Sequence, residues 1–213
     1  MNFNDMKENI VRLARKAYSE KLMAGTSGNL SEFDRQSQVM TITPSNLDYN
    51  VMTPQDVVAM RLDGTVLEGE MKPSSEWRLH AEIYKGNDDV NAVIHTHSPY
   101  ATSFAVLHET IPLILVEMLP FLGGDIPLAG FGMPGTPEIG LNAVKAMDNR
   151  RFCCLLANHG VATVGKTLEQ AYIRAVYVED AATIYHFARQ LGHPNLVPEA
   201  AAHVLQERYG LKK

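Results

Sequence analysis

Cysteine is nearly absent from this chain: two residues in 213, Cys153 and Cys154, side by side in an apolar run. Neighbours in one strand are badly placed to form a disulfide, and so little cysteine fits a reducing, cytoplasmic compartment. Long apolar runs are absent too, since no stretch approaches ~18 uninterrupted apolar residues, and a membrane-spanning helix is excluded. Positive charge is in deficit, with 19 Lys and Arg against 24 Asp and Glu and a net charge of -5. The chain therefore has no basic field for nucleic acid, and an anionic ligand needs a local pocket. The opening M-N-F-N-D-M-K-E-N-I mixes both charge signs and leads into an amphipathic pattern, which is not the form of a signal peptide. Repeats, low-complexity segments and linkers are also missing. What remains is 46% apolar residues, enough for one substantial core, and a single domain over residues 1–213 is expected.

Helical spacing of Met6, Ile10, Leu13 and Ala17 predicts an amphipathic helix over residues 4–22. Short strands are expected at N-L-S-E-F-D, Q-V-M-T-I-T, D-V-V-A-M-R-L and T-V-L-E-G, with Asp63 and Gly64 marking a hairpin. Ser74 or Ser75 then caps a helix through W-R-L-H-A-E-I-Y, with Glu76 in its first turn, and N-A-V-I-H-T-H is a buried strand. A helix follows from Pro99, while Ile111–Gly135, rich in Pro and Gly, is expected to hold strands and exposed turns. Thr136 caps a helix over Pro137–Met147, F-C-C-L-L-A-N is a strand that Val161–Val164 can pair with, and two helices, Leu168–Leu191 and Pro198–Tyr209, close the chain. Helices bracketing central strands predict an α/β fold of the α+β type, with a mainly antiparallel sheet flanked by helices.

Three histidines carry the chemistry. His95 and His97 form an H-x-H at the end of an apolar strand, where residues two apart point to one face and can meet on one metal ion. His159, in L-L-A-N-H-G, ends a second apolar run and completes a three-histidine set that leaves a coordination position open, as catalytic metals require. Glu76, in K-P-S-S-E-W, is by itself a helix N-terminal carboxylate; beside a metal it can serve first as ligand and then as acid and base. His80, one turn further along, is kept as a group supporting the site, whereas His108, His186, His193 and His203 read as packing or surface residues. Three small polar segments, G-T-S-G-N at 25–29, T-P-S-N at 43–46 and Ser74 with Ser75, offer backbone N–H and hydroxyl donors for an oxyanion.

These motifs, in this order and at these intervals, resemble the class II aldolase/adducin family, and the resemblance runs from the first helix to the Y-G-L near the C-terminus. It implies a mainly antiparallel sheet flanked by helices and a homotetramer with active sites at subunit interfaces. It further implies that His95, His97 and His159 bind a divalent ion, usually Zn2+ with Mn2+ or Co2+ as alternatives, that Glu76 is the catalytic acid/base, and that Gly28, Asn29, Ser45, Asn46, Ser74 and Ser75 hold the substrate phosphate. Tyr209 matches a C-terminal tyrosine that approaches a neighbouring subunit's site. The activity implied is cleavage of a ketose 1-phosphate, L-fuculose 1-phosphate or a related deoxyketose 1-phosphate, to dihydroxyacetone phosphate and a short aldehyde through an ene-diolate.

Two departures stand out. Asn46 occupies a place where the family has glycine, and asparagine tolerates the positive φ that such a turn needs. At Val116-Glu117-Met118 the family's sugar-phosphate aldolases carry an interface tyrosine, so Glu117 stands in for the phenol that assists proton transfer at the aldehyde oxygen. Other activities on this scaffold are 4-epimerisation of L-ribulose 5-phosphate and decarboxylation of a 3-oxo acid phosphate; an adducin-like binding module is the non-enzymatic alternative. Retention of Glu76 and all three histidines argues against the last.

Overall fold

Strand β5 (Ala92–Thr96) sits at the heart of the molecule, and all five of its residues are buried. Alternation along it separates two cores: Val93 joins the cluster built on Leu79, Ile83 and Tyr84, whereas Ala92 and Ile94 join that of Ile10, Leu13 and Ala175. His95 therefore falls on the Val93 face. The computed structural model describes residues 3–211; Met1, Asn2, Lys212 and Lys213, and with the lysines the end of the C-terminal tail, lie outside the described residues.

The other strands are β1 (Asn29–Asp34), β2 (Val39–Ile42), β3 (Val58–Met60), β4 (Val66–Glu68), β6 (Leu128–Ala129), β7 (Cys153–Leu156) and β8 (Gly160–Gly165). They form one eight-stranded sheet in the order β4-β3-β2-β1-β5-β8-β7-β6. Every neighbouring pair is antiparallel except β6 with β7, which bears out the expected sheet. Helices α1 (Phe3–Ser19) and α6 (Leu168–Leu191) cover the Ile94 face; α2 (Trp77–Gly86) and α5 (Pro137–Met147) cover the other. Helix α3 (Pro99–Leu107) packs with α6, and α4 (Met118–Leu122) with α6 and α7 (Glu199–Arg208). Among the described residues no helix is long and apolar enough to cross a membrane. Cys153 and Cys154 are buried free thiols.

Two local expectations give way. The segment at 111–135 holds a short helix, α4, and only the two-residue β6, because Met118, Leu119 and Leu122 bury together as one turn of helix. Helix α2 begins one residue later than its serines suggest, with Glu76 itself at the N-cap and no side-chain cap bond; the Ser74 hydroxyl instead accepts the Glu76 N–H at 3.3 Å.

Candidate active site

His95 is the fixed point of the site. Its Nδ1 donates to Val161 O at 2.8 Å, which leaves Nε2 as a lone pair aimed out of the sheet. His97 lies just beyond the end of β5, and its Nε2 stands 2.9 Å from His95 Nε2. His159 comes from the turn between β7 and β8, shaped by Asn158 in the left-handed region (φ 56°). Gly160 makes this closeness possible, because a Cβ there would overlap Thr96 O and press on the His95 and His97 rings.

Glu76, released from helical geometry at its N-cap position, turns its carboxylate into the three rings. Oε2 is 3.2 Å from His95 Nε2, and Oε1 is 3.2 Å from His159 Nε2. The ligand atoms of Glu76, His95, His97 and His159 all lie within 4.8 Å of one another, and the four can hold a metal ion. The donor set fits: Oε1 is buried without a hydrogen-bond partner, and imidazole nitrogens crowded this closely require a shared cation or proton between them. Burial, aided by His95, pushes His97 down to about 4 and lowers His159 in the same sense, which favours the neutral, ligating form of both rings. Burial works against ionisation of Glu76, but the His95 and His159 rings and the Asn29 amide outweigh it and hold the carboxyl below its ordinary range.

Beside this cluster opens a cavity of about 250 Å³ lined by Gly28, Asn29, Ser45, Asn46, Ser74, Ser75, Glu76 and His97, together with Thr26, Ser27 and Pro44. All six residues expected to face a phosphate thus meet in one cavity. Gly28 adopts φ 81°, and a Cβ there would lie 2.8 Å from His95 O, so the loop can approach the histidine cluster only as glycine. Asn46 adopts φ 57°, the left-handed turn expected of it. Glu117 and Tyr209 are different: both are exposed, at the start of α4 and the end of α7, and neither lines the cavity.

Sequence reasoning missed several supports. Buried Tyr49 donates from its hydroxyl to Gly28 O at 2.7 Å and so pins the first polar loop. His108, read as a packing or surface residue, is exposed as that reading allows, and its ring is also hydrogen-bonded to Asn158 beside His159. Asn29 does more than line the cavity, because its amide nitrogen donates to Glu76 Oε2 at 3.1 Å.

Residues 8–186 match the Class II Aldolase and Adducin N-terminal domain family, and the chain belongs to that family. Relatives with the names of sugar-phosphate aldolases resemble it over most of its length. A 5-deoxy-D-ribulose 1-phosphate aldolase of Bacillus thuringiensis serovar kurstaki is 37% identical, with 95% of this chain and 94% of the relative covered. A 5-methylthioribulose-1-phosphate/5-deoxyribulose-1-phosphate aldolase of Rhodospirillum rubrum is also 37% identical, with 91% and 86% covered. Among solved structures, one described as L-fuculose 1-phosphate aldolase superposes with a TM-score of 0.91 at 38% identity, with 97% and 96% of the two chains covered.

Proposed function

We propose that this chain is a metal-dependent class II aldolase that splits a deoxyketose 1-phosphate, of the 5-deoxypentulose kind, into dihydroxyacetone phosphate and a short aldehyde. The observation that carries the reading is the junction of the Glu76, His95, His97 and His159 cluster with a cavity whose wall includes Gly28, Asn29, Ser45, Asn46, Ser74 and Ser75. A cavity of about 250 Å³ matches a phosphate with the first carbons of a small ketose. Two relatives at 37% identity bear the names of five-carbon substrates, which suits the 5-deoxypentulose choice, while the solved structure at 38% identity bears that of fuculose 1-phosphate and keeps the six-carbon ketose within the same class.

His95, His97 and His159 with Glu76 would hold a divalent ion, Zn2+ by our reading, and such an ion would supply Lewis acidity toward the ketose carbonyl. The chain does the rest. The loops at 28–29, 45–46 and 74–75 offer backbone N–H, amide and hydroxyl donors to the phosphate, which fixes the position of C3 relative to Glu76. As the C3–C4 bond breaks, its electron pair passes to C3 and the carbonyl, and C4 leaves as the aldehyde. Glu76 then delivers a proton to C3, or removes it in the condensing direction. The C4 hydroxyl must lose its proton in the same event, and we assign that to Glu117 of a neighbouring subunit, with Tyr209 as a second group from across the interface. Exposure of both residues, at the N-cap of α4 and the C-cap of α7, two helices that pack together, supports donation across an interface of a homotetramer. A cytoplasmic location fits the free thiols Cys153 and Cys154.

The test is to strip the protein with a chelator, reload it with Zn2+, Mn2+ or Co2+, and incubate it with dihydroxyacetone phosphate and acetaldehyde, methylthioacetaldehyde, lactaldehyde or glycolaldehyde. Metal-dependent condensation, read by product mass and stereochemistry, is expected to be best with acetaldehyde or its methylthio derivative. Failure with every aldehyde, while ribulose 5-phosphate epimerises, would move the protein to another branch of the family. Unchanged rate and aldehyde preference in Glu117→Tyr would remove Glu117 from the mechanism.

A further inference from the structure

Helix α2 carries a polar stripe through an otherwise apolar interface. Glu76, His80 and Tyr84 are spaced four apart, and they interleave with Asn29 and Ser31, which alternate along β1 and point to the same side of the sheet. All five are buried. The contacts run without a gap: Asn29 Nδ2 to Glu76 Oε2 at 3.1 Å, His80 Nε2 to Asn29 Oδ1 at 2.5 Å, Ser31 Oγ to His80 Nδ1 at 2.6 Å, and Ser31 Oγ to Tyr84 Oη at 2.6 Å.

We infer that His80 is a positioning residue for the proton transfer proposed for Glu76: with Ser31 and Tyr84 it locks the Asn29 amide nitrogen onto Glu76 Oε2 and reserves Oε1 for exchange with substrate. Only the exchange with substrate rests on the aldolase reading; the chain of hydrogen bonds stands apart from it. Direction is set from the carboxylate end, because a carboxylate oxygen accepts and Asn29 must present its NH2. Its Oδ1 then faces His80, whose Nε2 must carry the hydrogen. Burial keeps His80 neutral, pushed down to about 3, so its Nδ1 has only a lone pair to offer and takes the Ser31 hydroxyl hydrogen. Ser31 Oγ in turn accepts from Tyr84, whose single hydroxyl hydrogen is shared with Ser31 O at 3.0 Å. The opposite direction would set Asn29 Oδ1 against Glu76 Oε2, oxygen to oxygen.

The consequence falls on the two oxygens of Glu76. A proton on Oε2 would confront the Asn29 NH2, and the amide cannot turn over while the His80 N–H claims its oxygen. Oε1 has no hydrogen-bond partner and faces only the His159 ring, 3.2 Å away, so it is the oxygen left to exchange. An interface that only needed filling would be served by apolar side chains at 80 and 31.

The tautomer gives a readout that does not depend on activity. Long-range 1H–15N correlation should find His80 as the Nε2–H form in both metal-free and Zn2+-loaded protein; an Nδ1–H form or an imidazolium overturns the inference. Kinetics supplies the second arm, using exchange of the hydroxymethyl proton of dihydroxyacetone phosphate with D2O. His80→Leu should lose roughly 10–100-fold in the exchange kcat with zinc content and KM unchanged, and His80→Gln, which retains a donor for Asn29, should recover most of it. Equal losses in both variants, or loss of zinc together with turnover in His80→Leu, would leave His80 a merely structural residue. Should His80→Leu not fold, Ser31→Ala removes only the hydroxyl donor and should show a severalfold loss of the same kind; no loss sinks the idea. Wild-type protein that shows the Nε2–H form but exchanges no proton would count against the aldolase reading and uphold the chain.

Discussion

Replacing Gly160 with alanine asks whether the sheet, rather than a bound ion, holds the histidines in place. The new Cβ would overlap Thr96 O and stand 3.1 Å from His95 Cε1 and 3.3 Å from His97 Cδ2. Strand β5 cannot retreat, because β1 is paired along its other edge. The start of β8 must therefore move, by about 1 Å, before ordinary packing distances return. Val161 O moves with it and gives up the hydrogen bond that orients His95. Overpacking of this kind costs about 1–3 kcal/mol, and the lost hydrogen bond adds roughly 1 kcal/mol. Function should suffer more, since a ring displaced by about 1 Å costs on the order of 100-fold in turnover, and loss of a ligand's orienting partner roughly 10–100-fold in metal affinity. Urea unfolding, chelator competition for Zn2+ and aldol cleavage, measured side by side, separate these effects. Gly192→Ala is the control, as a Cβ there meets nothing within 4 Å. A Gly160→Ala protein with wild-type zinc affinity and turnover would refute the argument.

Three further outcomes are expected. Burial and the neighbouring Glu169 raise Glu32 to about 7 from an ordinary 4.5; between those values the folded state holds more protons than the unfolded, so stability falls as pH rises through this window, by roughly 3 kcal/mol at most. Glu32→Gln should match the wild type below pH 4 and exceed it at pH 8 in urea titrations, and equal stability at both ends would contradict the burial argument. At Asn46, glycine should keep both stability and binding of inorganic phosphate, whereas valine, forced to positive φ, should cost about 1–2 kcal/mol and weaken phosphate binding by titration calorimetry. Zn2+ at about 100 times its Kd should raise the melting temperature by about 5–10 °C, and His159→Ala should lose that response in a thermal-shift assay.

Legibility in the sequence followed distance along the chain. The H-x-H of His95 and His97 reports a local geometry, two residues on one face of a strand, and the structure brings their nitrogens within 2.9 Å. Glu76 was visible as an N-terminal carboxylate, yet its release to the N-cap depends on how Pro73 and Ser74 bridge to the strand region at 43–44, over thirty residues back. Tyr49 beneath Gly28 and Asn29 against Glu76 had no local signal at all, because each contact joins segments more than twenty residues apart. The stripe of Glu76, His80 and Tyr84 was readable as helical spacing of polar residues, but only the facing Asn29 and Ser31 give it meaning. Helix α4 escaped for the opposite reason: five residues with Pro120 at the third position are too few to show a period, and proline is harmless where the N–H has no partner to lose.

Asn29 and His95 are direct cross-strand partners in the pairing of β1 with β5. Side chains alternate along a strand, so closing this seam one residue out of step would put Asn29 and His95 on opposite faces of the sheet, and only one of them could then face Glu76. A chain that made that single error would keep its secondary structure and be chemically inert. Catalytic competence is thus an all-or-none certificate of correct assembly, issued when the middle of the sheet zips and not before.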